Sequence, residues 1–159
     1  MPDDHFNKIN IRALDQNETV PYNLLLLADP SKALIDVYLR NSIVYIAEQE
    51  NKTIGVCVLC SLNKVTAEIK NIAVATAYQG KGIGTLLLNH ATAIAKEQGF
   101  RTLIISTANS SAGQLYLYQK LGFEMMEIRK NFFIDNYAEP IYENGIRCKD
   151  MIMLSKSLK

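Results

Sequence analysis

The chain is predicted to be α+β, built on a mixed sheet. An antiparallel run of β-branched segments occupies the first half, two strand-helix units follow it, and glycines mark the helix ends. Strands come first as hairpins, which need only short turns. Parallel strands need crossovers, and the helices of the second half supply them.

Lys8 to Leu14 alternates Ile9, Ile11 and Ala13 with polar neighbours, a half-buried strand. Val20 to Arg40 carries apolar clusters at helical spacing, and Pro30 breaks it into two helices. Ser42 to Glu48 and Thr53 to Ser61 read as strands joined by a turn at Glu50-Asn51-Lys52, with Gly55 marking a bulge. A turn near Asn63-Lys64 leads into Val65 to Val74, a third antiparallel strand, where Val65, Ala67 and Ile69 alternate with Thr66, Glu68 and Lys70. Gly82 to Gln98 recurs at helical spacing through Ile83, Leu86, Leu87, His90, Ala91, Ile94 and Ala95, and Gly99 ends it. Leu103 to Ser106 is a short buried strand, Ser111 to Leu121 a helix stopped by Gly122, and Phe123 opens the next strand, giving two parallel-type crossovers. Arg129 to Arg147 reads as an irregular tail, and Cys148 to Leu154 as the last strand.

Length and composition bound the function. The 159 residues suit one domain spanning 1–159 with its own core, and neither repeats nor linkers divide it. Seventeen basic against sixteen acidic side chains leave a net charge of +1, which provides no field for nucleic acid. Apolar runs such as Leu24 to Ala28 fall far short of the roughly 20 residues that span a bilayer, so no membrane is expected. The start Met-Pro-Asp-Asp-His lacks a basic, apolar leader, which with three cysteines points to the cytoplasm. Cys57 and Cys60 have C-x-x-C spacing but lie in a strand, where residues three apart face opposite ways. With His5 and His90 apart from them, packing explains them better than a metal, and no metal is expected.

Chemistry concentrates in Asn71-Ile-Ala-Val-Ala-Thr-Ala-Tyr-Gln-Gly-Lys-Gly-Ile-Gly-Thr85: strand, turn, glycine-rich loop, helix start. Gly80, Gly82 and Gly84 remove β-carbons where a helix begins, so the backbone can curl and aim several N–H groups at one point. Peptide dipoles add partial positive charge, and Gln79 and Lys81 stand by as donors, a setting for pyrophosphate. Two other phosphate loops fail. The only Gly-Lys pair, Gly80-Lys81, precedes Gly82 and not a Ser or Thr, and Gly80-Lys-Gly82 is not followed by the third glycine at the dinucleotide spacing.

At these residues the chain resembles the GNAT superfamily of acyl-CoA-dependent N-acetyltransferases, whose loop pattern [QR]-x-x-G-x-[GA] appears as Gln79-Gly-Lys-Gly-Ile-Gly84. A second family feature, a tyrosine four residues before Gly-Phe, appears as Tyr118-Gln-Lys-Leu-Gly122-Phe123, so the resemblance covers roughly Ser42 to Glu127. It implies a mixed sheet in an α/β/α sandwich and direct transfer from acetyl-CoA to an amine of a small molecule or peptide. The pantetheine arm would pair with Ile72, Ala73 and Val74, a backbone N–H near Val74 would hold the developing oxyanion, and Gln79 to Thr85, Ile83 included, would hold the pyrophosphate. Tyr118 would protonate the leaving thiolate. Tyr116, two residues away, faces elsewhere on the helix.

The base is Glu68 or a water, although a carboxylate at a strand position opposite an apolar face is usually just a solvated surface group. The asparagine that many relatives place eleven residues before Gly122 is Ser111 here, with Asn109 nearby. Either Asn109 contacts the pantetheine arm, or Ser110 and Ser111 cap the next helix. In the tail, Phe132, Phe133, Tyr137 and Tyr142 interleave with Asp135, Glu139, Glu143 and Asp150, which suits an ammonium group and equally suits packing or a homodimer. The reading from another class is an acyl-CoA-binding sensor or scaffold without turnover, against which Tyr118 beside an intact loop argues.

Overall fold

The computed structural model describes residues 8–159, so the reading of Met1 to His5 as no leader lies outside the described residues. Nine strands and five helices are present among them, an α+β arrangement with a mixed sheet. The chain divides into two compact units, Met1–Ser61 with Ile69–Ile94 and Leu62–Glu68 with Ala95–Lys159.

The first unit holds β1 (Asn10–Ala13), α1 (Tyr22–Ala28), α2 (Lys32–Leu39), β2 (Ser42–Gln49), β3 (Lys52–Ser61), most of β4 (Thr66–Val74) and most of α3 (Ile83–Glu97), with the strands in the order β1-β2-β3-β4. β1 and β2 are antiparallel, and Arg12 ties them by donating to Glu48 at 2.7 Å while a second edge of its guanidinium reaches Glu18. The β2–β3 hairpin closes on two residues, Glu50 and Asn51, both with positive φ, which matches the twist of the flanking strands. The expected bulge is there, one residue earlier than Gly55: the register shifts between Ala47 and Glu48 on β2, which leaves Ile54 as the extra residue on β3. Gly55 answers a different need, since a β-carbon on it would stand 3.0 Å from Leu87 Cδ1 of α3. The helix lies against the sheet because this strand position is bare.

Leu24 and Leu25 of α1 and Ile35 of α2 pack with Ile46, Val56, Val58 and Ala73 to form one core cluster of this unit. Between the helices Ser31 Oγ accepts from Leu34 N at 3.2 Å, so the stop at Pro30 is followed at once by an N-cap. Cys57 and Cys60 are both buried and free, and burial pushes the Cys57 thiol up to about 12. They face opposite ways, and both faces of this strand are covered.

The second unit holds β5 (Thr102–Ala108), α4 (Ala112–Lys120), β6 (Glu124–Arg129), α5 (Phe132–Asn136), the small hairpin β7 (Tyr142–Glu143) and β8 (Ile146–Arg147), and β9 (Met151–Ser157). Its strand order is β5-β9-β6, with β9 antiparallel to both neighbours. The crossover through α4 therefore returns parallel to β5 but one place further out, with the last strand inserted between.

The tail corrects the expectation of irregular structure. Asn144 and Gly145, with φ of 54° and 75°, form the two-residue turn of the β7–β8 hairpin, a strong local signal that aromatic and acidic composition obscured. The last strand also starts at Met151 and not at Cys148. Cys148 N donates to Ile141 O at 2.7 Å and the N–H groups of Lys149 and Asp150 donate to Asn109 Oδ1, which takes these residues out of the ladder.

Candidate active site

In the first unit, β4 ends at Val74, and Ala75 N donates to Ile54 O at 2.8 Å. A single 3₁₀ turn over Thr76–Tyr78 and the loop Gln79 to Gly82 then lead into α3. Gly80 and Gly82 have φ of 77° and 85°, the left-handed region that side chains resist. Gly84 has ordinary helical backbone, so its bareness serves space and not conformation: no heavy atom lies within 4 Å of where a β-carbon would stand on any of the three.

Leu86 N donates to Gly82 O at 3.1 Å, the first bond of the helix. Helix geometry then leaves the N–H groups of Ile83, Gly84 and Thr85 without an acceptor inside α3, at the positive end of its dipole. Lys81 Nζ lies 5.4 Å and Lys52 Nζ 5.6 Å from the centre of the Tyr78 ring, so two cations flank the loop. Lys52 was not evident as a candidate, because only the hairpin brings the start of β3 to this turn. The donor set and the open glycine faces fit a pyrophosphate group.

Gln79 behaves differently from the expectation of a free donor: its Nε2 donates to Val74 O at 3.0 Å and folds the loop back on the strand end. Ile72 and Val74 are half-buried and Ala73 is buried. Glu68, on the same strand, is 7% exposed, so it is not the solvated surface group that its alternation suggested. Asn71, which pattern reading passed over, is 4% exposed. Its Nδ2 donates to Leu25 O and to Tyr38 Oη, each at 3.0 Å, and its Oδ1 is buried with no partner among the described residues. No sequence signal distinguishes it from a strand-end polar residue.

In the second unit, Tyr118 is 4% exposed, with its ring tilted 58° to that of Phe123 at 6.2 Å. The Gly-Phe pair is what fixes it. Gly122, with φ of 97°, donates to Gln119 O, and Phe123 N donates to Tyr118 O at 3.0 Å, the paired bonds of a Schellman cap. Tyr116 stands 67% exposed on the same helix, consistent with a different role.

Asn109 is engaged at every polar atom of its side chain. Its Oδ1 accepts from Lys149 N at 2.8 Å and Asp150 N at 3.0 Å, and its Nδ2 donates to Arg147 O at 3.2 Å. The neighbouring serines do not cap α4 with their side chains. Ser111 Oγ donates to Glu143 Oε2 at 2.6 Å, and Ser110 Oγ meets Cys148 Sγ at 3.1 Å. Together Asn109, Ser110 and Ser111 clasp the tail. Asp150 accepts from Asn131 N at 2.9 Å, which with nearby Lys130 and Lys149 holds its carboxyl below the usual range. Phe132, Phe133 and Tyr137 form a ring cluster with spacings of 5.3 and 5.6 Å, while Tyr142 is exposed.

No group of three or more potential metal ligands occurs among the described residues, and no helix there is long and apolar enough to cross a membrane.

A mixed sheet followed by a glycine-flanked helix start with N–H groups unpaired within the helix, and a buried tyrosine set by a Gly-Phe cap, fit an acyl-CoA-dependent transferase. Residues 40–125 match the family model of the acetyltransferase (GNAT) domain, and the chain belongs to that family. It is 43% identical over 150 residues to the uncharacterised N-acetyltransferase YvbK of Bacillus subtilis, covering 94% of this chain and 97% of that one. Among solved structures it is similar to a GNAT family acetyltransferase from Elizabethkingia anophelis with acetyl-CoA bound (53% identity, 94% and 97% of the two chains, TM-score 0.92). It is also similar to an IAA acetyltransferase from Bacillus cereus (46% identity, 94% and 99%, TM-score 0.91). The chain is an acetyl-CoA-dependent N-acetyltransferase that acts on an amine acceptor.

Proposed function

We propose that residues 1–159 act as one catalytic domain that transfers the acetyl group directly from acetyl-CoA to a primary amine of a small molecule or peptide in the cytoplasm. The observation that carries this reading is the start of α3: three helical N–H groups without an intrahelical acceptor, beside glycines with open space around them. In this reading Gln79 to Thr85 bind the pyrophosphate through backbone N–H groups, with Lys81 as a nearby cation. Ile72, Ala73 and Val74 align the pantetheine arm, and a backbone N–H near Val74 stabilises the oxyanion.

Glu68 removes the amine proton directly or through water, and its burial supports this by keeping the carboxylate away from bulk solvent. Tyr118 returns a proton to the leaving thiolate, and its burial and its capped helix end hold the phenol in one place. Asn109 serves the pantetheine arm through the backbone it orders, because its own side chain holds the tail. The tail contributes acceptor specificity, and the chain works as a homodimer.

Calorimetric titration with acetyl-CoA, and separately with ATP and NAD, tests the cofactor assignment, and a panel of amines screened for released CoA thiol tests turnover. Micromolar binding of acetyl-CoA alone, with thiol release on at least one amine, is expected. Binding without release on any amine favours the sensor, and no binding overturns the site.

A further inference from the structure

β6 lies at the end of the strand order, paired with β9 on one side only, and all six of its residues are exposed. Met125 is 56% and Ile128 57% exposed, although both sit in a sheet. A strand edge with large apolar side chains and open backbone groups is a template for pairing. The register says with what. Met125 is opposite Leu154 and Glu127 opposite Met153, so Met126 is an extra, bulged residue. Directly paired residues share a sheet face, and bulged neighbours stand together opposite one partner. Met125 and Ile128, opposite Leu154 and Ile152, therefore occupy one face. Glu124, Glu127 and Arg129 occupy the other, opposite Ser155, Met153 and Met151.

The first and last residues, Glu124 and Arg129, thus share one face, and Met125 and Ile128 share the other. A regular six-residue strand cannot have this property, because its first and last side chains point to opposite faces. We propose that β6 pairs antiparallel with β6 of a second copy of this chain about a two-fold axis between Met126 and Glu127. This rests on the homodimer reading above and gives it an interface.

Across that axis Glu124 stands opposite Arg129 of the second copy and Met125 opposite its Ile128, each pair occurring twice. Arg129 already lies 3.7 Å from its own Glu127, so it bridges that carboxylate and the second copy's Glu124, and offsets the approach of the two Glu127 side chains near the axis. The bulge that breaks ordinary alternation is what makes the edge complementary to itself.

Sedimentation equilibrium of the full chain and three variants tests the pairing. The wild type is expected to dimerise, and Glu124→Arg or Arg129→Glu alone, each creating two like-charge pairs, to weaken the dimer about tenfold. The double variant Glu124→Arg with Arg129→Glu is expected to restore it to within about threefold of wild type. A wild type that stays monomeric to about 100 μM overturns the proposal. So do single reversals without effect, or a double variant as weak as the singles. Acetyl-CoA titration of the same proteins keeps the two readings apart: lost cofactor binding in an intact dimer counts against the catalytic site and not against β6.

Discussion

Tyr118 illustrates how a short motif becomes geometry. The sequence shows a tyrosine four residues ahead of Gly-Phe, and in the structure the Schellman bond from Phe123 N ends on the Tyr118 carbonyl while Gly122 N bonds Gln119 O, so glycine and phenylalanine close the helical turn that carries the tyrosine. Replacing Tyr118 with Phe keeps the ring contact and removes the proposed acid. Turnover on an accepted amine is expected to fall about a hundredfold with acetyl-CoA affinity unchanged, and equal turnover in steady-state assays would remove the role. At Gly82 the constraint is conformational. Gly82→Ala forces a side chain into φ of 85° at a cost of about 1–2 kcal/mol and puts a methyl group at the proposed pyrophosphate site. Thermal unfolding read beside acetyl-CoA titration should show both losses, whereas Gly84→Ala, with ordinary φ, should lose affinity alone. For Asp150 the folded carboxyl titrates below its unfolded value, so its contribution to stability is present above the unfolded value, near pH 4, and is lost as pH falls through the folded one. Asp150→Asn is expected to lower the urea midpoint at pH 7 and to flatten its decline on the acid side.

Among the elements, the ones legible in sequence are those whose signals are local. The α3 period, the positive-φ hairpin at Glu50-Asn51 and the stop at Pro30 involve neighbours in the chain, and all three appear where their residues indicate. What was not legible depends on partners far along the chain. Glu68 reads as an outward residue because its neighbours alternate, yet it is buried, and the alternation of one strand carries no information about what lies over its other face. Cys148 to Asp150 reads as strand by composition, and Asn109, some forty residues earlier, takes its backbone donors. Gly55 looks like a bulge marker and serves instead as a seat for Leu87. Gly55→Val therefore tests the approach of α3: overpacking of about 1–3 kcal/mol is expected in equilibrium denaturation, with suppression by Leu87→Ala in the double variant.

For the molecule as a whole, the loop and the tyrosine belong to different compact units, and each is fixed by contacts inside its own unit. The loop and the tyrosine are thus held by short-range bonds, whereas Asn109 is held by residues some forty positions later, and Asn71 and Lys52 emerge only from the fold. A ligand that binds the folded chain alone raises its stability by about 2.7 kcal/mol at a hundredfold excess over its dissociation constant. Acetyl-CoA is expected to raise the melting temperature accordingly and NAD to leave it unchanged, a comparison that differential scanning fluorimetry makes without any acceptor in hand.

The clasp at Asn109 also has a kinetic signature. The amides of Lys149 and Asp150 lie just before β9, outside any ladder, where exchange with solvent deuterium is ordinarily fast. Because one side-chain oxygen holds both, these two amides should exchange slowly and together, at a rate set by a single opening event, and a change of Asn109 to Ala should release them as a pair.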